Sequence, residues 1–163
     1  MSQIPQLLAA NKAYATARAT AADARPSRQL AVVTCMDVRI DVFDVLGLRL
    51  GEAHVLRNAG GRVTDDVLRS LALGTHVLGV TTVVLMQHTK CGLAGQTDEE
   101  LRRVTGADIE FFPIDDHARA LRDDIATLTS APYLSPIEVV AGFVYDVASG
   151  ELEDVARWER ATA

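Results

Sequence analysis

The chain has 163 residues, 48% of them hydrophobic, which suits one domain and supplies enough apolar material for a buried core. Sixteen Lys plus Arg against 22 Asp plus Glu leave a formal charge of -6, which argues against nucleic acid or an anionic membrane as partner and favours a small or neutral ligand. No stretch reaches the roughly 18 apolar residues of a membrane span, the N-terminus lacks a signal-like apolar core, and two cysteines are too few for a disulfide framework, so the expected address is cytoplasmic.

Residues 6 to 24 are Ala-rich, with Leu7, Leu8, Tyr14 and Ala17 at roughly helical spacing, and predict a helix ended by Pro26. The run "QLAVVTCMD" is apolar and β-branched between polar signals, which predicts a strand over 30–35 buried on both faces. Ile40, Phe43 and Leu46 then repeat at helical spacing, with Gly47 as the stop. A second strand follows in "AHVLRN", and "AGG" turns the chain toward Thr64, the expected N-cap of a helix reaching about Leu78 with Asp65 and Asp66 in its first turn. "TTVVLMQH" predicts a third buried strand, punctuated afterwards by Gly92 and Gly95. "DDHARALRDDIATLTS" predicts an amphipathic helix ending before Pro132, and "IEVVAGFVYDVASGELEDVA" two strands joined through Ser149-Gly150. Alternation of strands and helices implies an α/β fold with a mainly parallel central sheet flanked by helices, and an N-terminal helical arm over residues 1–25 of a single domain, 1–163.

In such sheets ligands bind beyond the carboxyl ends of the strands. Cys35 falls at that end of the first strand, and His88 and Cys91 just past that end of the third. Two thiolates and one imidazole suit zinc, and three firm ligands leave a fourth position open for catalysis. Zinc held so would lower the pKa of a bound water to about 7. Asp37 and Arg39 alternate with Cys35 and extend to the same side if the backbone stays extended; Asp37 could orient that hydroxide while Arg39 holds its carboxylate bidentately. Each piece alone has an ordinary explanation: a buried structural thiol, a chance His-x-x-Cys, a surface ion pair worth roughly 0 to 1 kcal/mol. Their conjunction on one sheet edge is what points to a site.

"CMDVRID", then "RNAGG", then "HTKCG" resemble the β-class carbonic anhydrases, whose motifs are C-x-D-x-R and H-x-x-C, in their compact bacterial and archaeal form. The resemblance runs from about Leu30 to the hairpin. It implies one zinc per subunit on Cys35, His88 and Cys91, a catalytic dyad of Asp37 and Arg39, and hydration of carbon dioxide by attack of zinc hydroxide. It also implies a cleft at a dimer interface, with the N-terminal helix reaching over the partner in a homodimer or dimer-based tetramer. Asn58, Gly60 and Gly61 fall beside the implied pocket, and Gly60 and Gly92 are candidates to touch substrate, although turn geometry alone also explains glycines there. Two positions depart from the family pattern: Pro26 stands where plant-type members carry a substrate-seating Gln, and Val32 where members with a second, inhibitory bicarbonate carry Trp. No such regulatory anion beside Arg57 is therefore expected, and the open form, with Asp37 off the metal, is expected near neutral pH.

Among the remaining histidines His54 is a candidate proton relay, while His76 and His117 lack metal spacing. Phe43, Phe111, Phe112 and Tyr145 suit core packing or the lining of an approach to the site. A cysteine phosphatase would need C-x5-R, and Asp41 occupies the sixth place; a thiol redox enzyme would favour C-x-x-C, which is absent. Two alternatives remain on the same residues: hydrolysis of carbonyl sulfide or carbon disulfide, and a non-catalytic zinc protein with Asp37 as fourth ligand.

Overall fold

A computed structural model describes residues 2–18 and 23–161. In chain order the elements are α1 (Ile4–Ala17), β1 (Leu30–Cys35), α2 (Val42–Leu46), β2 (Ala53–Asn58), α3 (Asp65–His76), β3 (Thr82–His88), α4 (Asp98–Thr105), α5 (His117–Ser130), β4 (Val139–Tyr145) and β5 (Leu152–Glu159). The strands form one sheet in the order β2-β1-β3-β4-β5; the first four run parallel and β5 returns antiparallel. The expected α/β fold with a mainly parallel sheet is what forms.

Burial explains the strand sequences. Ala31, Val33, Val83, Leu85, Val140 and Val144 pack on one face of the sheet, against Val67 and Leu71 of α3 and Leu121, Ile125 and Leu128 of α5. Val32, Val84 and Met86 pack on the other, with Ile40, Val42, Leu93 and Ile114. With both faces covered, the inner strands read as continuous apolar runs rather than alternating ones. Among the described residues no helix is long and apolar enough to cross a membrane.

The helix ends follow local chemistry. Asp41 caps α2 by accepting from the amides of Phe43 and Asp44 at 3.1 and 3.3 Å, and Gly47 stops it at φ 60°. Asp116 caps α5 through the amide of Arg119 at 2.6 Å. Thr64 stands at the N-cap of α3, but its side chain makes no capping bond, and the helix ends at His76, two residues short of the expected Leu78. α1 starts earlier and ends sooner than expected: Arg18 is extended, and residues 19–22 of the expected span lie outside the described residues. Over Ile4–Ala17 the helix buries no residue. The hairpin turn is organised by Asp146, whose carboxylate accepts from the amides of Ala148 and Ser149 at 2.7 and 2.8 Å.

α4 was not expected, yet a capping box marks it: the Thr97 hydroxyl accepts from the amide of Glu100, and the Glu100 carboxylate accepts from the amide of Thr97. The turn after β2 is held more tightly than its glycines suggest. Gly61 has φ 63°, and a Cβ there would lie 2.9 Å from the amide nitrogen of Cys35 and the carbonyl carbon of Thr34. The next residue, Arg62, is buried and forks onto Asp124 of α5 at 2.8 and 3.2 Å, tying this turn to the helix layer.

Candidate metal centre

Parallel pairing puts the ends of β1 and β3 side by side, with Thr34 opposite Met86 and its hydroxyl donating to the Met86 carbonyl at 2.7 Å. The chain after each end therefore turns over the same edge. There the sulfurs of Cys35 and Cys91 and a ring nitrogen of His88 all lie within 4.8 Å of one another, and all three residues are buried. The tight β3 exit that returns Cys91 to His88 passes through Lys90 at φ 57°, a left-handed conformation uncommon for a residue with a side chain.

His88 is oriented from behind: Nδ1 lies 2.9 Å from the Thr89 carbonyl, which can only accept. In the neutral ring Nδ1 therefore carries the hydrogen and Nε2 keeps its lone pair. Nε2 is buried without a hydrogen-bond partner. The Cys35 sulfur accepts from the amide of Gly60 at 3.3 Å. A hydrogen bond from the Cys91 thiol pulls the Cys35 thiol down to about 4, against the opposing effect of burial, with further help from His88. The same bond, with burial, raises the Cys91 thiol. Burial pushes His88 down, but the negative Cys35 sulfur nearby, the Thr89 carbonyl on Nδ1 and the Asp37 carboxylate outweigh it and the net shift is upward. The pair of thiols thus shares one negative charge.

Asp37 and Arg39 form a two-pronged ion pair, with Arg39 Nε donating to Oδ1 at 2.8 Å and Nη2 to Oδ2 at 2.7 Å. The Arg39 amide adds a third bond to Oδ1 at 2.9 Å. Arg39 is itself steered by the Lys90 carbonyl, 3.0 Å from Nη2. Its side-chain bonds to Asp37 hold the carboxyl well below the usual carboxylate range. Oδ2 accepts one of these bonds against the two on Oδ1, and lies 3.8 Å from His88 Nε2. A pocket of about 380 Å³ opens beside these groups, walled by Met36, Val38, Ala59, Gly60, Gly92 and Leu93.

All five residues expected at the site meet there, and Gly60 and Gly92 join them at the pocket wall. Gly60 arrives with its amide engaged by the Cys35 sulfur, and a Cβ on it would lie 2.8 Å from Leu93 Cδ1. Other expectations separate. His54 pairs with Ala31 near the amino ends of the strands, four residues back from Asn58, or about 13 Å at the usual strand rise. His76 bonds the Tyr133 carbonyl, and His117 bonds the side chain of Gln87. Phe43, Phe111 and Tyr145 pack in the core cluster and Phe112 lies under Arg62; none lines the pocket. Pro26 is buried before the start of β1, at the opposite end of that strand from Cys35. Three groups were missed: the Gly60 amide, the Lys90 carbonyl, and the guanidinium of Arg57, which bonds backbone between Cys35 and Ile40. Arg57 is the cation interrupting the run "AHVLRN", the one signal for it.

A family model described as carbonic anhydrase matches residues 30–131. The beta-carbonic anhydrase 1 of Mycobacterium tuberculosis is 38% identical over 161 residues, covering 95% of this chain and 99% of that protein. A crystal structure of carbonic anhydrase from Streptococcus mutans superposes with a TM-score of 0.86 at 40% identity, over 96% of this chain and 99% of that one. The carbon disulfide hydrolase of Saccharolobus solfataricus is 43% identical over 76 residues, 47% of this chain and 37% of that protein.

Proposed function

Because the chain belongs to the β-carbonic anhydrase family, we propose that it is a zinc-dependent carbonic anhydrase, a lyase interconverting carbon dioxide and water with bicarbonate and a proton. The observation that carries this reading is the buried Cys35, His88 and Cys91 cluster standing beside the Asp37–Arg39 pair at the wall of a largely apolar pocket. The donor set fits zinc in kind, being two thiols and an imidazole. It fits in detail through His88 Nε2, a buried acceptor with no partner in the protein, which costs stability unless something occupies it. In this reading Cys35, His88 and Cys91 hold one zinc per subunit. When bound, zinc supplies the Lewis acidity that makes hydroxide available from water near pH 7.

The chain's own residues do the rest. Asp37 is ionised at neutral pH, so it can only accept; its Oδ2, the less occupied oxygen, accepts a hydrogen bond from the attacking oxygen, which keeps its own hydrogen and turns a lone pair toward the pocket. Arg39 fixes both carboxylate oxygens and prevents rotation. Met36, Val38, Ala59 and Leu93 give carbon dioxide an apolar place to rest. With the Gly60 amide committed to sulfur, the backbone contact to substrate falls to Gly92.

The whole of residues 1–163 works as one domain in this reading, with free thiols suited to a reducing cytoplasm. α1 has no buried residue and exposes Ile4, Leu7, Leu8 and Tyr14, as an arm lying on a second subunit would, in a homodimer or dimer-based tetramer; sedimentation at the mass of one chain would overturn this. Stopped-flow hydration of carbon dioxide by zinc-replete, reduced protein, at about pH 7 and about pH 8.5, tests the activity. Rates well above buffer at both values are expected. No rate with zinc bound stoichiometrically, or faster turnover of carbon disulfide than of carbon dioxide, would overturn it.

A further inference from the structure

We propose that Arg57 is a positioning residue that fixes the backbone carrying Cys35, Asp37 and Arg39; its catalytic consequence rests on the functional reading above. Arg57 leaves β2 opposite Thr34 of β1 and crosses beneath the segment that follows β1. There its Nε donates to the Cys35 carbonyl at 3.0 Å, Nη2 to the Asp37 carbonyl at 2.6 Å and Nη1 to the Ile40 carbonyl at 3.1 Å.

The segment needs such a clamp. Residues 36–41 lie between β1 and α2 and belong to neither helix nor strand; the Asp41 carbonyl is taken up by the Val45 amide of α2 at 2.9 Å, and the carbonyls before it have no ladder to satisfy them. The backbone itself contributes the bond from Met36 to the Asn58 carbonyl at 2.8 Å and the longer one from Ile40 to the Asp37 carbonyl at 3.2 Å. A planar guanidinium presents its donors in a fixed fork, and three carbonyls converging on one fork define the curvature of the chain between them. Asp37 is consequently gripped at both ends: Arg57 holds its carbonyl and Arg39 holds its carboxylate. Loss of the first grip lets the residue pivot, and Oδ2 leaves its place 3.8 Å from His88 Nε2. A lysine, one flexible ammonium, can reach the carbonyls but cannot hold them in a plane.

The test compares zinc-loaded wild type with Arg57→Ala and Arg57→Lys. Hydrogen exchange at the amides of Met36, Arg39 and Ile40, each hydrogen-bonded here, is expected to speed up roughly tenfold or more in Arg57→Ala while β3 and α5 keep their protection. For carbon dioxide hydration kcat is expected to fall roughly ten- to a hundredfold, with KM changed by less than about threefold and Arg57→Lys intermediate in both readouts. Exchange in this segment unchanged, or kcat within about twofold of wild type, would overturn the proposal. Should Arg57→Ala fail to fold, Arg57→Lys alone decides by the same two readouts. A wild type without hydration activity would sink the anhydrase reading only, because exchange still decides whether Arg57 holds the segment.

Discussion

Replacing Cys91 with serine is expected to strip the chain of zinc. A serine hydroxyl does not ionise near neutral pH, so the change removes one of two anionic donors and leaves Cys35 and His88, a set far short of what zinc requires. The loss should be measurable as metal content below about a tenth of stoichiometric after dialysis, against about one zinc per wild-type chain. The electrostatics of the cluster add a pH dependence with a definite sign. In the metal-free chain the Cys91 thiol draws Cys35 down while Cys35 and burial raise Cys91, so the pair holds one proton between them, on the Cys91 side. Zinc binding therefore expels the Cys91 proton, and a second one wherever the upward-shifted His88 is protonated. Apparent affinity must then rise with pH, by about tenfold per unit where one proton is displaced, and a dye in weak buffer should record the release. Cys91→Ser with full zinc content, or an affinity flat between about pH 6 and pH 8, would refute the ligand assignment.

Asp37→Ala should do the opposite: keep zinc and lose catalysis. None of the three clustered donors belongs to Asp37, so metal content should stay near one per chain. What disappears is the acceptor that orients the attacking oxygen, and loss of such positioning or proton handling costs about a hundredfold or more in kcat/KM. Arg39 would remain tethered to the Lys90 carbonyl, which limits collapse of the loop and keeps the effect specific. Because Arg39 holds the Asp37 carboxyl far below the usual carboxylate range, its ionisation cannot shape the neutral pH–rate profile of wild type. The midpoint of that profile should therefore belong to water ionisation, and Asp37→Ala should lower the whole curve without adding a new inflection above about pH 5. An alanine variant within about twofold of wild type would remove Asp37 from the mechanism.

How much of this was legible in the sequence depends on what kind of contact carries each feature. β1 was bounded to the residue, and β3 to within one, because double-sided burial writes itself as uninterrupted apolar runs; the edge strand β2, half-buried along most of its length, was bounded by the Gly turn that follows it. Once the strand ends were fixed, the meeting of Cys35, His88 and Cys91 followed from parallel topology. α4 was overlooked because it contributes no buried residue, so apolar periodicity had little to read, and only its capping box betrayed it. His54 was misplaced as a relay because spacing along a chain does not say which end of a strand faces the site. For the aromatic residues core packing, one of the two roles expected, is what forms for Phe43, Phe111 and Tyr145; the choice was open because an apolar ring reads the same whether it fills a core or borders a pocket. The bonds from the Gly60 amide to sulfur, from Arg39 to the Lys90 carbonyl and from Arg57 to three carbonyls use main-chain atoms, which every residue possesses and no sequence distinguishes.

The turn after β2 carries a consequence for descent. At position 61 the space a side chain would need is filled by the main chain of Thr34 and Cys35, and the backbone angle independently disfavours anything but glycine. That constraint is indifferent to chemistry. A lineage that abandoned catalysis while keeping this fold would be free to lose Asp37 but would still inherit Gly61. Across descendants, the glycine would mark kinship and the aspartate would mark a working enzyme.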